Sequence, residues 1–178
     1  DVPCTLSLQF FLRNDKVHMM TSMRSSDVIL GLAYDVPAFT IFQELLAVQL
    51  SQELGRPIGL GTYTHLSASL HVYERHFKMV EKILEEDKKQ DYRNVLEMPQ
   101  MPGSPPLDLL MGVENDVRKS GCEKKISDIL DQSGLDDYWL DWCKVLASHR
   151  ATKLKDPQLA NKLLLSTTFE GYRYFAKP

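Results

Sequence analysis

Cys4, Arg24, Ser25, Asp27, Asp35, His71 and Tyr73 are the residues whose types and spacing could do chemistry. A cysteine in its thiolate form is a strong nucleophile toward electron-poor carbon. Arg24 offers a planar fork of donors that matches a phosphate, and Ser25 can add a hydroxyl donor. His71 and Tyr73 stand two positions apart; on a strand both would point the same way and could reach one atom. A carboxylate such as Asp35 accepts a hydrogen bond from an amino group and, once protonated, can also donate one. Each residue also has a plainer role. Cys4 could be a small buried hydrophobe at a strand end, Arg24 a surface partner of Asp27, His71 and Tyr73 core-edge residues, and Asp35 a helix N-cap. His65, His71 and His76 are close in sequence, but their spacing fits no common zinc motif and no cysteine lies nearby, so no metal is expected.

These residues need elements to position them. Leu6, Leu8, Phe10 and Leu12 alternate with Thr5, Ser7, Gln9 and Phe11, the period of a strand. Arg13-Asn14-Asp15-Lys16 is a polar turn, and Val17 to Met23 reads as the second arm of a hairpin. Arg24-Ser25-Ser26-Asp27 reads as a loop or a helix start. A helix is expected from Asp35, with Asp35 as N-cap, Pro37 in the first turn and Gly55 as the residue after its end. Glu44 and Glu53 belong to its solvated face. Ile58 to Thr64 is expected as a strand and Tyr73 to Glu86 as a helix.

Met98 to Pro106 carries four prolines and one glycine, the clearest linker in the chain. Helical periodicity follows over Leu107–Lys119, Glu123–Gln132, Asp136–Ala147 and Pro157–Leu165. The expected organisation is therefore a β-rich region 1–98 holding the candidate chemistry, a linker 99–106, and a helical region 107–178 of the same domain. The fold class is α+β, and a length of 178 residues suits one domain with a sizeable core.

Composition narrows the partners. With 43% hydrophobic and 25% charged residues and a net charge of −3, nothing favours a nucleic-acid coat or an anionic membrane surface. The three cysteines, Cys4, Cys122 and Cys143, are widely and irregularly spaced, which suits a reducing, cytoplasmic setting better than a disulfide framework. No apolar run approaches the roughly 20 residues of a membrane span, and Leu6 to Leu12 lacks the basic flank of a signal peptide.

Five features in order carry a resemblance: Pro3-Cys4; Arg24-Ser25-Ser26-Asp27; Leu30-Gly31; Tyr34-Asp35; and His71-Val72-Tyr73. Cys4 to Arg24 is twenty positions and Arg24 to Asp35 is eleven. This pattern resembles the thymidylate synthase and pyrimidine hydroxymethylase family. The resemblance implies a mixed sheet with flanking helices, a homodimer packed sheet to sheet, and a pyrimidine nucleoside monophosphate and a folate as partners. It implies that Cys4 adds to C6 of the base, so that C5 can attack the one-carbon unit of 5,10-methylenetetrahydrofolate. Arg24 and Ser25 would then hold the 5′-phosphate, with the Arg24 charge also favouring the Cys4 thiolate. His71 and Tyr73 would hold the sugar 3′-hydroxyl, and Asp27, Leu30, Gly31 and Tyr34 would face the folate.

The departures from the family pattern are informative. Asp35 stands where thymidylate synthases have asparagine, and the resemblance is closest to enzymes that hydroxymethylate a cytidylate. An amide suits O4 and N3–H of uracil; a carboxylic acid suits the reversed donor and acceptor of cytosine. Thr5 follows the cysteine where synthases usually have histidine, and Met23 precedes the arginine where they have glutamine. The stretch from Asp35 to His71 is longer by a short insertion. Helices ending Gly171-Tyr172-Arg173-Tyr174-Phe175 replace the family's closing tail, which shields the intermediate from water; without that shield, water addition would give a hydroxymethyl product. The family's proton-organising glutamate and partner-donated arginines lie upstream of the cysteine, so the residues present are expected to describe half of a site. Methylation of a uridylate, and a catalytically incomplete nucleotide-binding or dimerisation module of a longer protein, are the alternatives.

Overall fold

The computed structural model describes residues 2–88 and 96–176. The chain forms two compact units, Asp1–Arg93 and Asn94–Pro178.

The first unit begins with a hairpin of β1 (Thr5–Arg13) and β2 (Lys16–Met23), antiparallel from Thr5 opposite Met23 to Arg13 opposite Lys16. Asn14 and Asp15 make its turn with φ of 49° and 56°, the left-handed pair that a two-residue hairpin turn needs. Along β2 the period is clean: Val17, Met19, Thr21 and Met23 are buried and the residues between them are not. β1 is an edge strand, and its Leu6, Leu8, Phe10, Phe11 and Leu12 stay exposed. β3 (Ser26–Asp27) follows, then α1 (Gly31–Leu54) and β4 (Gly59–Ser67). β4 runs parallel to β2, giving a three-stranded mixed sheet in the order β1-β2-β4. β5 (Leu70–His71) pairs in parallel with β3 in a separate two-stranded ladder.

α1 packs Ala47 against Val17 and Ile58. The buried Gln43 reaches from the helix into the sheet, its amide donating to the Val17 carbonyl at 2.7 Å and the Gly61 carbonyl at 3.3 Å. Those carbonyls flank a register shift between Val17 and Met19, where the ladder leaves acceptors unpaired. The His18 ring fills the space beside Gly61, where a Cβ would lie only 2.6 Å from it, and its Nδ1 accepts from the Thr62 amide at 3.0 Å.

The helix starts one turn before the expected position. Asp35 is a second-turn residue rather than the N-cap, and Pro37 lies inside the helix. Ahead of the helix, Asp27 closes a tight turn, its carboxylate oxygens accepting from the amides of Ile29 at 3.3 Å and Leu30 at 3.0 Å. Gly55 ends the helix in the left-handed conformation with φ 61°, as expected. A short 3-10 turn (Glu74–His76) leads into α2 (Phe77–Asp87), whose apolar Phe77, Ile83 and Leu84 are exposed.

The second unit runs through irregular backbone, with Met101 buried, into α3 (Leu107–Lys119), α4 (Glu123–Asp131), α5 (Asp137–Lys153) and α6 (Pro157–Leu165). Cys143, Ala147 and Ala151 make a stripe of small residues along α5 at the centre of the core, with Val117, Ile126, Leu159 and Leu163 around it. Small residues at four-residue spacing let the neighbouring helices come close. Asp136 and Asp156 cap α5 and α6 by accepting from the Trp139 and Leu159 amides. A 3-10 segment, Glu170–Phe175, closes the unit. The fold class is thus the expected α+β, a small mixed sheet with flanking helices and further helices after it.

Candidate active site

One end of the sheet collects the candidate residues of the first unit. β1 starts there, and β2 and β4, being parallel to each other, both end there. Cys4 therefore comes beside Arg24, whose amide donates to the Cys4 carbonyl at 2.9 Å. Both side chains are exposed. The Arg24 guanidinium turns back over the strand start, donating to the Pro3 carbonyl at 3.3 Å and the Val2 carbonyl at 3.2 Å, and makes no pair with Asp27. Its charge consequently lies along the backbone that carries the thiol.

The short β3–β5 ladder brings the next segments in. Ser26 donates its amide to the Ser69 carbonyl at 2.8 Å, and Val28 donates to the His71 carbonyl at 2.9 Å. The Ser25 hydroxyl lies 3.4 Å from His71 Nδ1, so a serine next to the arginine meets the histidine 46 positions later. His71 and Tyr73 do come together, with ring centroids 4.9 Å apart at 85°, but not as two residues of one strand. β5 ends at His71, and Tyr73 stands at the start of the 3-10 turn, where the Arg75 guanidinium sits 4.6 Å from its ring centroid. The cation over the aromatic face holds Tyr73 after the strand has ended.

Asp27, Gly31 and Asp35 adjoin at the start of α1. A Cβ at Gly31 would meet the Asp27 Cβ at 3.5 Å and Asp35 Oδ2 at 3.9 Å, both ordinary contacts. Partial desolvation pushes the Asp27 carboxyl up, but the amides of Leu30, Ile29 and Gly31 and the His76 ring together outweigh it and hold the group below its usual range. Leu30 and Tyr34, one helical turn apart, are well exposed and offer adjacent apolar and aromatic surface. The half-buried Asp35 projects its charge toward Tyr63. Desolvation raises the Tyr63 hydroxyl above its ordinary pKa, outweighing the lowering influence of the Thr21 hydroxyl, and the Asp35 charge adds a smaller push in the same direction.

Tyr63, His65 and Ser26 form a chain that the spacing of motifs does not reveal. The Tyr63 hydroxyl lies 2.9 Å from His65 Nδ1, and His65 Nε2 lies 3.2 Å from the Ser26 hydroxyl. Period two along β4 puts Tyr63 and His65 on one face, opposite Met19 and Thr21, and that alternation was the available signal. His65 is thus engaged in hydrogen bonds on both ring nitrogens. Among the described residues no group of three or more His, Cys, Asp or Glu gathers as a metal site, and no helix is long and apolar enough to cross a membrane.

Comparison with known proteins identifies the family. The thymidylate synthase family model matches residues 2–102. A protein of Methanocaldococcus jannaschii described as "Putative thymidylate synthase" is 31% identical over 86 residues, covering 48% of this chain and 36% of that protein. The chain spans about a third of the length of that relative. With more than half of its 178 residues inside the family match, the chain belongs to the thymidylate synthase family.

Proposed function

We propose that the first unit carries the pyrimidine half of a site that transfers a one-carbon unit from methylenetetrahydrofolate to C5 of a nucleotide, and that the nucleotide is a cytidylate receiving a hydroxymethyl group. The observation that carries the reading is the gathering of Cys4, Arg24, Ser25 and His71 at one sheet end.

The chemistry follows from these groups. The Cys4 thiolate adds to C6 of the base, and C5 becomes nucleophilic toward the folate's one-carbon unit. Loss of tetrahydrofolate and the C5 proton leaves an exocyclic methylene. Water adds to that carbon, and the thiolate leaves C6 to restore the ring. Arg24 and Ser25 bind the 5′-phosphate, which requires the guanidinium to exchange its contacts with the Val2 and Pro3 carbonyls for phosphate oxygens. His71 and Tyr73 take the sugar hydroxyl. Asp35 accepts from the cytosine N4 amino group and, protonated, donates to N3. Leu30, Gly31 and Tyr34 form the surface against which the folate ring lies, with Asp27 at its edge; the exposure of Leu30 and Tyr34 fits a flat ring there. The active species is a homodimer in a cytoplasmic setting.

Incubating the longest native form with dCMP, CMP and dUMP plus methylenetetrahydrofolate, with product identified by mass spectrometry, tests the reading. Hydroxymethylated cytidylate is expected, and Cys4→Ala abolishes it. Thymidylate and dihydrofolate from dUMP alone would make the protein a thymidylate synthase instead. Cytidylate binding that survives Cys4→Ala, with no turnover by the parent, would make it a nucleotide-binding module.

A further inference from the structure

Two histidines from consecutive strands grip consecutive serines of the turn that follows β2. His71, at the end of β5, meets the Ser25 hydroxyl at 3.4 Å, and His65, on β4, meets the Ser26 hydroxyl at 3.2 Å. The serines differ in access. Ser25 is half-buried, whereas Ser26 is only 3% exposed, so its hydroxyl must be satisfied from within the protein. His65 is itself held. The Tyr63 hydroxyl lies 2.9 Å from its Nδ1, and the Phe39 ring of α1 lies beside it, centroids 6.5 Å apart. A phenol is a better donor than an alcohol, so Tyr63 donates to Nδ1 and the ring proton stays on Nε2, which donates to Ser26.

The two ties meet different fates when a nucleotide binds. With Arg24 and Ser25 on the 5′-phosphate and His71 on the sugar, the Ser25–His71 contact is given up, and so are the Arg24 contacts with the Val2 and Pro3 carbonyls. The Ser26–His65 bond is exchanged for nothing, because Ser26 is buried beneath the turn. Little else holds the turn. The β3–β5 ladder is two residues long, and so short a pairing is marginal by itself. The Ser26–His65 bond is therefore the side-chain anchor that stays in place while the exposed contacts are traded for phosphate oxygens.

We propose that His65, oriented by Tyr63, is a positioning residue for the nucleotide phosphate, acting through Ser26 to hold the Arg24-Ser25 turn and touching no part of the nucleotide itself. The inference rests on the phosphate role given above to Arg24 and Ser25. Calorimetry on the longest native form gives Kd for dCMP and dUMP and for deoxycytidine and deoxyuridine, which lack the phosphate. The ratio of nucleoside to nucleotide Kd measures what the phosphate adds. His65→Phe keeps a ring and loses the donor; it and Ser26→Ala should each lower that ratio about 3- to 10-fold, with the nucleoside Kd unchanged. The double variant should lose no more than either alone, since both cut the same bond. His65→Gln, whose amide can still donate, should recover part of the ratio. An unchanged ratio, or equal weakening of nucleoside and nucleotide as from general damage to the fold, overturns the proposal. A ratio that falls in a protein preferring dUMP overturns the cytidylate reading and leaves the positioning role standing; an unchanged ratio in a protein that hydroxymethylates dCMP does the reverse. A native ratio near one removes the phosphate role and the positioning role with it.

Discussion

At the scale of single residues, Asp35 and the three cysteines make the sharpest predictions. Replacing the Asp35 carboxylate by an amide reverses neither size nor shape, only which edge pattern it can complement. Asp35→Asn is therefore expected to lower kcat/KM for cytidylate relative to uridylate by about 10- to 100-fold; an unchanged ratio would remove Asp35 from base recognition. The thiols differ by burial. Cys4 and Cys122 are exposed, whereas Cys143 is buried and its thiol is pushed up to about 11 by that burial. A disulfide reagent at pH 8 should titrate two thiols quickly and the third only with unfolding. Because the native state holds the Cys143 proton more tightly than the unfolded chain, its contribution is present below about pH 9 and lost as the pH rises toward 11. The loss is roughly 2–3 kcal/mol, and urea midpoints measured between pH 8 and 11 in native protein and in Cys143→Ala would separate it from other groups.

Among the elements, α1 shows what was legible and what was not. Its length, its closing glycine and its apolar spacing can be read from the chain. Its start cannot, because no side chain caps the helix at Leu30, while Asp35-Val36-Pro37 carries the local signature of a helix start. Tyr73 was misplaced for a related reason: the strand is ended by pairing with a two-residue partner, a tertiary limit that side-chain alternation does not contain. The hairpin and the helices of the second unit were legible because each rests on local periodicity and turn chemistry. The Tyr63–His65–Ser26 chain was not, because it joins residues 39 positions apart. Gln43 makes the element-scale prediction. Gln43→Ala strips the amide from buried carbonyls at the register shift and should cost about 1–3 kcal/mol, read as a lower urea midpoint by far-ultraviolet circular dichroism. Asp27→Asn should flatten the acid end of the stability profile: the native carboxylate lies below its ordinary pKa, so its contribution is full at neutral pH and fades as the pH falls through the carboxylate range.

For the whole molecule, two separate buried clusters predict two readable transitions. Ile126, fully buried among the helices of the second unit, is a cavity-forming site; Ile126→Ala should cost about 2–5 kcal/mol and shift the tryptophan fluorescence transition. Gln43→Ala should move the dichroism transition and leave the fluorescence midpoint in place. A single transition shifted equally by both variants would instead mean that the units unfold as one.

The direction of β2 and β4 has a further consequence. Because both run toward the same end, the sheet has one end that holds the candidate chemistry and one that only turns the chain, where Arg56 pairs with Asp15. Evolution can thus work on the two ends separately. Changes after β4 or at the start of α1 would reach the candidate site while the buried face of β2 and the Gln43 contacts stay as they are.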